Sequence, residues 1–382
     1  MTTSSAVVTR QEWVDRAREV ADRVLRPAAR WHDQHGVLQD GVLPELATAG
    51  FFGMGVGREY SGSSAGSVVV GEVLEQLARV DMSPCYPILN AALIGSIIEA
   101  NCSDEQRARW LPGLAAGDIV PALALTEEEY GTDAANISFR ADRDGSGWIL
   151  SGRKTSIMLA AYATHALVFT RTSDGGAQGV SAFFVALDQA GVHRDLFDDL
   201  GCRAGGRGVL DFSAVRVERS ELVGAIDSGF VQVMKGFGYS RALICMMALG
   251  TAQAALDESV EFCRQRTTFG KPIGAHQGVS FPLVDAHISV TAARLLTLDA
   301  LAKRDAGVDF NAATNMAKAW VPRVCFEAAH QALLSCGHRG WSGETGFGRR
   351  LRDLVGPEIA DGTDNAARLV VARRIFGRAY AP

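Results

Sequence analysis

The sequence predicts a mainly α-helical protein with a small β-barrel set into its middle. Three observations carry this. Apolar residues recur at helical spacing through residues 1–120, short β-branched and aromatic runs separated by turns fill 121–226, and long helical periods return over 227–382. The expected organisation is an N-terminal helical domain, a middle β domain and a C-terminal four-helix bundle.

The first helix is announced by Thr9 and Glu12, which have capping-box spacing. Trp13, Val14, Ala17, Val20, Ala21, Val24 and Leu25 then follow at helical period. Pro44 opens a short helix that Gly50 ends, and Gly66 to Val80 forms another. The stretch from Ile88 to Ala100 is apolar nearly all round, as a helix buried between others must be, and Ser103 with Gln106 caps one more.

Beyond Val120 come PALALT, ISFRADR, GWILSG, HALVFTRT, VSAFFVAL and GVLDFSAVRV, with turns at Asp144 to Gly147 and Ser173 to Gly176. Strands of that length point to a small barrel or sandwich. From Gly229 a long helix runs to near Arg266. Others follow from Gln277 to near Ala306 and from Phe310 to Cys336, before a terminal one, and short connections between long helices predict an antiparallel bundle. Within Leu354 to Ala372, Pro357 and Gly362 bracket an irregular segment. Thr363 then opens a helix with Ala366, Leu369, Val370 and Ala372 on one apolar face. Asp361 is therefore a carboxylate on a loop just before a helix, a place where Asp361, Thr363 and Asp364 could equally serve as caps.

Composition narrows the function. With 47% hydrophobic and 21% charged residues, the 382-residue chain can bury large cores, and a net charge of −5 argues against a nucleic-acid partner. Seven scattered cysteines, mostly among apolar residues, fit neither a disulfide framework nor a zinc cage, and a reducing cytoplasm is expected. The N-terminal MTTSSAVVTRQEWVDRAREV lacks the apolar core of a secretory signal. The longest apolar run, Ala242 to Leu256, is interrupted by Gly250, Thr251 and Gln253. It falls short of the roughly 20 residues of a membrane span, so it is expected to be a core helix. The eight histidines show no metal-ligand spacing.

Five segments in order resemble the acyl-CoA dehydrogenase family. LALTEEEYGTDAANI (Leu123 to Ile137) is similar to the strand and loop that this family lays beside its flavin. SGRKTSI (Ser151 to Ile157) resembles Asn-Gly-x-Lys-x-Trp-Ile, and LGCRAGGRGVLDFSAVRV followed by ELVG resembles its last barrel strands. RQRTTFGKPIGAHQ (Arg264 to Gln277) is similar to its Arg-x-x-Phe-Gly segment with a downstream Gln. LRDLVGPEIADGTDNAARLVVAR resembles its ending, in which Arg-Asp precedes Ile-x-Glu-Gly-Thr.

The resemblance implies an FAD enzyme that dehydrogenates an acyl thioester of coenzyme A or of acyl carrier protein. It further implies a homodimer or homotetramer that passes electrons to an electron-transferring flavoprotein, with no nucleic acid or membrane involved. By the same resemblance Leu125, Thr126, Gly131, Thr132, Ser156, Ile157 and Met158 lie along the flavin. Arg266, Thr268, Phe269, His276, Gln277 and Gly337 reach an FAD, that of a neighbouring subunit, and Thr363 also contacts the cofactor. Thr132, Tyr239 and Arg241 stand near the substrate. Asp361 occupies the position of the family's catalytic Glu, taking a proton while flavin N5 takes the hydride. The family's alternative base position reads Gly238, Tyr239, Ser240, Arg241 and carries no carboxylate, while Glu358 is a less well placed neighbour of Asp361.

Two departures shape the expectation. Asp is shorter than Glu by one bond, about 1.5 Å, and Ser156 stands where the family usually has Trp, with Met158 where Thr or Ser is common. The first points to an atypical acyl chain or position, the second to a different acyl carrier or electron acceptor, and looseness of the second kind resembles the dehydrogenases of polyketide extender-unit pathways. The alternatives are a flavoenzyme resembling nitroalkane oxidases or monooxygenases, which would consume oxygen rapidly when reduced, and a non-catalytic paralogue, which would be colourless.

Overall fold

The computed structural model describes residues 8–380. The reading of the N-terminus as lacking a signal core rests in part on Met1 to Val7, which lie outside the described residues.

The N-terminal domain is helical. Helix α1 (Arg10–Val20) starts at Thr9 with both capping-box bonds formed. A π-helical segment (Ala21–Leu25) carries the chain without a break into α2 (Arg26–His35). Then come α3 (Val42–Thr48), α4 (Ser67–Ala78), α5 (Tyr86–Asn101) and α6 (Asp104–Ala116). Helix α3 begins before the expected Pro44, which sits in its first turn, where a missing N–H costs nothing. Ile88, Leu89, Ala91, Leu93, Ile94, Ile97 and Ile98 of α5 are all buried, and Ser103 with Gln106 forms the second capping box, on α6.

The middle domain is one curled sheet of seven strands: β1 (Pro121–Ala124), β2 (Arg140–Asp144), β3 (Gly147–Ile157), β4 (His165–Arg171), β5 (Val180–Ala186), β6 (Val192–Leu196) and β7 (Gly208–Val217). β1 and then β2 line one edge of β4, both in parallel, while β5 pairs antiparallel with its other edge. β2, β3, β7 and β6 continue antiparallel. The sheet curls without closing, a half-barrel whose two edges are β5 and β6.

β2 starts at Arg140, not Ile137, because the amides of Ser138 and Phe139 are taken by the Glu127 carboxylate. β6 was not expected. Four of its five residues are exposed, so it lacks the apolar alternation that marks a half-buried strand.

The C-terminal domain contains α7 (Gly229–Gln265), a small hairpin of β8 (Thr267–Thr268) and β9 (Lys271–Pro272), α8 (Gln277–Asp305), α9 (Asn311–Ser335), a short α10 (His338–Trp341), α11 (Phe347–Ile359) and α12 (Asp364–Phe376). α7 and α9 form its centre, with α8, α11 and α12 packed on α9. The run Ala242 to Leu256 lies in α7 and is almost wholly buried, as a core helix should be.

By length and composition alone α8 could cross a bilayer. Here it buries Leu283, Val290, Ala293, Thr297 and Leu301, and leaves Phe281, Val284, Ile288 and Leu295 exposed.

Two details at the end of the chain differ from expectation. Pro357 does not open an irregular segment but lies in the last turn of α11, which closes with Ala360 N–H on the Gly356 carbonyl, so the loop is only 360–363. A proline there forfeits one helical hydrogen bond near a helix end, where the loss is small. On α12 the expected stripe is only half-buried, and Ala367 is the residue that is fully covered.

Candidate active site

Asp361 stands in the loop between α11 and α12. Its backbone is left-handed, φ +53°, and Gly362 follows at +91°. Asp tolerates this conformation better than most residues, and Gly tolerates it freely. The loop is fixed from two helices. Arg241 of α7 donates from Nε to the Asp361 carbonyl at 2.8 Å and from Nη1 to Asn315 Oδ1 at 3.1 Å. Lys318 of α9, with no exposed surface, donates to the Gly362 carbonyl at 2.7 Å. Thr363 caps α12, its hydroxyl accepting from Ala366 N–H.

The carboxylate itself is treated differently. Oδ2 of Asp361 is buried and bonded to nothing. Burial raises the carboxyl above its ordinary pKa, while the Ser240 hydroxyl, Arg241 and Lys318 pull it down. A buried acceptor without a donor is costly, and native structures rarely keep one without a use. Tyr86 of α5 comes to the same region. Burial raises its phenol well above the usual range, helped by Cys202 and by the fields of Asp353 and Asp361.

Tyr239 does not join Arg241 in the Asp361 environment. Among the described residues no hydrogen bond or ion pair ties it to the Asp361 loop; its ring lies under the Arg304 guanidinium of α8, 3.7 Å from centroid to Cζ, and its hydroxyl is buried near Ser67. Residues two apart on a helix point in divergent directions, so a helix that aims Arg241 at the loop turns Tyr239 away from it.

A second group of expected residues comes together on the half-barrel. Thr126 accepts from the Thr155 amide at 2.9 Å, which holds the end of the first strand against the end of β3. Below that bond Lys154, fully buried, donates to Glu127 at 2.7 Å and to the Leu125 carbonyl at 2.9 Å. Burial lowers the Lys154 pKa to about 8. Leu125, Thr126, Ser156, Ile157 and Met158 are thereby one shelf, with Ser156 in a left-handed conformation, φ +57°. Arg207 donates to the Ser156 hydroxyl at 3.0 Å. Gly131 and Thr132 lie on the exposed loop beyond, with open space over Gly131.

The third group surrounds the β8–β9 hairpin. Arg266 and Gln277 are exposed, Thr268 is half-buried, and Phe269 at the hairpin tip is 92% exposed with φ +50°. Its ring stands edge-on to His276 at 6.1 Å, and His276 Nε2 is buried without a partner. Gly337, φ +56°, follows α9 with open space around it. Among the described residues no hydrogen bond or ion pair within the chain links this group to the shelf or to the Asp361 loop.

Sequence reasoning missed Lys318, Asn315 and the Lys154–Glu127 pair. The signal for Lys318 was present, since it shares a helical face with Asn315, Val321, Pro322 and Cys325, and a lysine on an apolar face is either paired or functional. Lys154 and Glu127 both lie inside quoted motifs, but their pairing is across strands and has no local signature.

These residues fit an FAD. A rigid shelf with open space over Gly131 on the loop beyond it suits a flavin ring, and, in a separate group, an exposed aromatic ring, an exposed guanidinium, an unpartnered imidazole nitrogen and open space around Gly337 suit a pyrophosphate-bearing cofactor.

Comparison with known proteins agrees. The chain matches the acyl-CoA dehydrogenase N-terminal domain over residues 9–118, the middle domain over 122–215 and the C-terminal domain over 227–376. It is 31% identical over 364 residues to a probable acyl-CoA dehydrogenase, fadE25, of Mycobacterium leprae, covering 94% of this chain and 93% of that one. It is 29% identical over 366 residues to a 3-(aryl)acrylate reductase of Clostridium sporogenes, covering 94% and 96%. Butyryl-CoA dehydrogenase from Megasphaera elsdenii superposes with a TM-score of 0.94 at 26% identity, covering 98% of this chain and 100% of that one. The chain belongs to the acyl-CoA dehydrogenase family of FAD-dependent oxidoreductases acting on CH–CH bonds.

Proposed function

We propose that this protein dehydrogenates an acyl thioester, carried by coenzyme A or by acyl carrier protein, with Asp361 as the base that takes the proton. The observation that carries the reading is the buried, unpartnered Oδ2 of Asp361, held on a loop whose backbone is fixed by Arg241 and Lys318. A base must keep a free lone pair, be rigidly placed and be shielded from water, and this side chain meets all three needs.

Leu125, Thr126, Gly131, Thr132 and Ser156 to Met158 would hold FAD, which supplies the hydride acceptor when bound. Arg266, Thr268, Phe269, His276, Gln277 and Gly337 would contact the FAD of a second copy, because Arg266, Phe269 and Gln277 stay exposed, His276 keeps an unpartnered nitrogen and Gly337 has open space around it within one chain. The exposed stripe Phe281, Val284, Ile288 and Leu295 on α8 supports that assembly, a homodimer or homotetramer, since monomers rarely expose so many large apolar residues on one helix. Thr363 contributes at most its backbone, its hydroxyl already accepting from the α12 amide.

The acyl group is atypical. Asp reaches less far than Glu, and Ser156 leaves open an edge of the shelf that a Trp would cover, bounded instead by Arg207. An electron-transferring flavoprotein is the expected acceptor.

Raised by burial, the Asp361 carboxyl is also suited to carry a proton, so the same residues could return it to carbon in the reverse reaction. That is the direction named for the Clostridium relative.

Anaerobic mixing of the flavin-loaded enzyme with a panel of coenzyme A and carrier-protein thioesters, followed by mass spectrometry of the products, tests the proposal. Bleaching with loss of two hydrogens by one panel member supports it. No bleaching by any thioester, or bleaching of ordinary butyryl and octanoyl thioesters at the rates of common family members, refutes the reading as stated.

A further inference from the structure

The Asp361–Gly362 loop is held by two cations from different helices, one on each of two consecutive carbonyls. Arg241 has Asn315 as a second partner. Lys318 has only the Gly362 carbonyl among the described residues, and that bond leaves an ammonium with no surface exposure against a neutral acceptor. Burying a lysine costs several kcal/mol, and Val321, Cys325 and Ala328 show that the same face of α9 is otherwise filled by apolar groups. Burial lowers the Lys318 pKa, with Arg241 adding to the effect, while Cys245, Asp361 and Asp364 oppose it and favour the charged form.

We propose that Lys318 is a positioning residue for Asp361, fixing the left-handed Asp361–Gly362 pair through the Gly362 carbonyl and placing its ammonium beside the carboxylate. The inference rests on the reading of Asp361 as the base. Other groups share this environment: Ser240, Arg241 and Cys245 from α7, Tyr86 from α5, Glu358 from α11 and Asp364 from α12. Arg241 is the other cation, but it is tied to the Asp361 carbonyl and to Asn315. Lys318 alone couples the charge to the next peptide.

The test uses the full-length, flavin-loaded protein with Lys318→Met, which removes donor and charge, and Lys318→Gln, which keeps a donor without charge. Infrared difference spectra against Asp361→Asn isolate the Asp361 carboxyl and give its titration midpoint without any substrate. Bound-flavin absorbance reports that each variant is folded.

The expected result is a midpoint higher by about one pH unit in both variants. Flavin bleaching, by whichever thioester bleaches the wild type fastest, should be about tenfold slower below that midpoint, the gap closing as the pH rises. A midpoint that stays put in either folded variant overturns the proposal. A rate loss that is the same at every pH also overturns it, because that is the signature of a merely structural lysine. If instead Asp361→Asn bleaches at the wild-type rate, the base reading fails, and the carboxyl midpoint still decides whether Lys318 controls that side chain.

Discussion

Two buried carboxylates at either side of the last turns of α11 are handled in opposite ways. Asp353 accepts from the Cys202 amide at 2.6 Å and faces Arg349 at 3.7 Å, which also reaches Asp81. Asp81 in turn meets His32 at 2.7 Å, so the cluster ties the N-terminal helices, the half-barrel and α11 together. Asp361 has the same chemistry and is half-buried as a residue, yet its Oδ2 is covered and has no donor. A carboxylate whose two oxygens each face a donor holds a structure together, whereas one with an oxygen kept free is available to a substrate.

The largest effect expected from this contrast is on turnover. Asp361→Asn keeps the shape and removes the basicity, so flavin reduction should fall by about 10³-fold or more. Calorimetry of the same variant should show an unchanged or higher unfolding midpoint, since an ionised group no longer has to be buried. The reverse profile is expected of Asp353→Ala, which leaves the Cys202 amide without its acceptor and takes from Arg349 one of the two carboxylates it faces. It should lose up to about 3 kcal/mol on denaturant unfolding, with little change in the rate per folded molecule.

Lys154→Met removes one partner of the other buried ion pair and should cost about 3 kcal/mol. It also loosens Leu125 against β3, so equilibrium dialysis should show weaker flavin retention.

The two acids also divide the pH dependence. Asp353 is raised from the ordinary carboxylate value to about 6 by burial. The fold therefore binds that proton more tightly than the unfolded chain does. Stability from this group is full below the unfolded-chain value and is lost as the pH rises through about 6. Asp353→Asn should flatten that part of a pH-stability curve. Asp361, also raised, gives the opposite slope in rate, because the base works only when ionised and flavin reduction should rise with pH through its midpoint. The smallest effect belongs to Phe269→Ser, within about 0.5 kcal/mol for unfolding of the chain but with faster flavin loss on dilution.

Much of the fold was legible because its signals are local. Thr9, Ser103 and Thr363 announce helices through bonds made within one turn. The buried run in α7 is legible for a related reason, its composition matching its surroundings. What was illegible lies at edges and across long separations. β6 is an exposed edge strand with His, Arg and Asp at its centre, and the π-helical segment has the same apolar period as the helices that flank it.

In the site, Asp361 and Arg241 could be found because motifs name them. Lys318 belongs to no quoted motif, and its role depends on a contact with a peptide 44 positions away in sequence. That Tyr239 turns toward Arg304 while Arg241 turns toward the loop was not legible either, because adjacency along a chain is not adjacency around a helix.

The left-handed turn at Asp361 constrains what this position can become. β-Branched and bulky side chains are strained there, while Asn and Gly are accepted, and neither of those can take a proton. A change from Asp to Asn or Gly here would therefore yield a silent enzyme whose architecture is intact, recognisable as a loss of chemistry with no loss of shape.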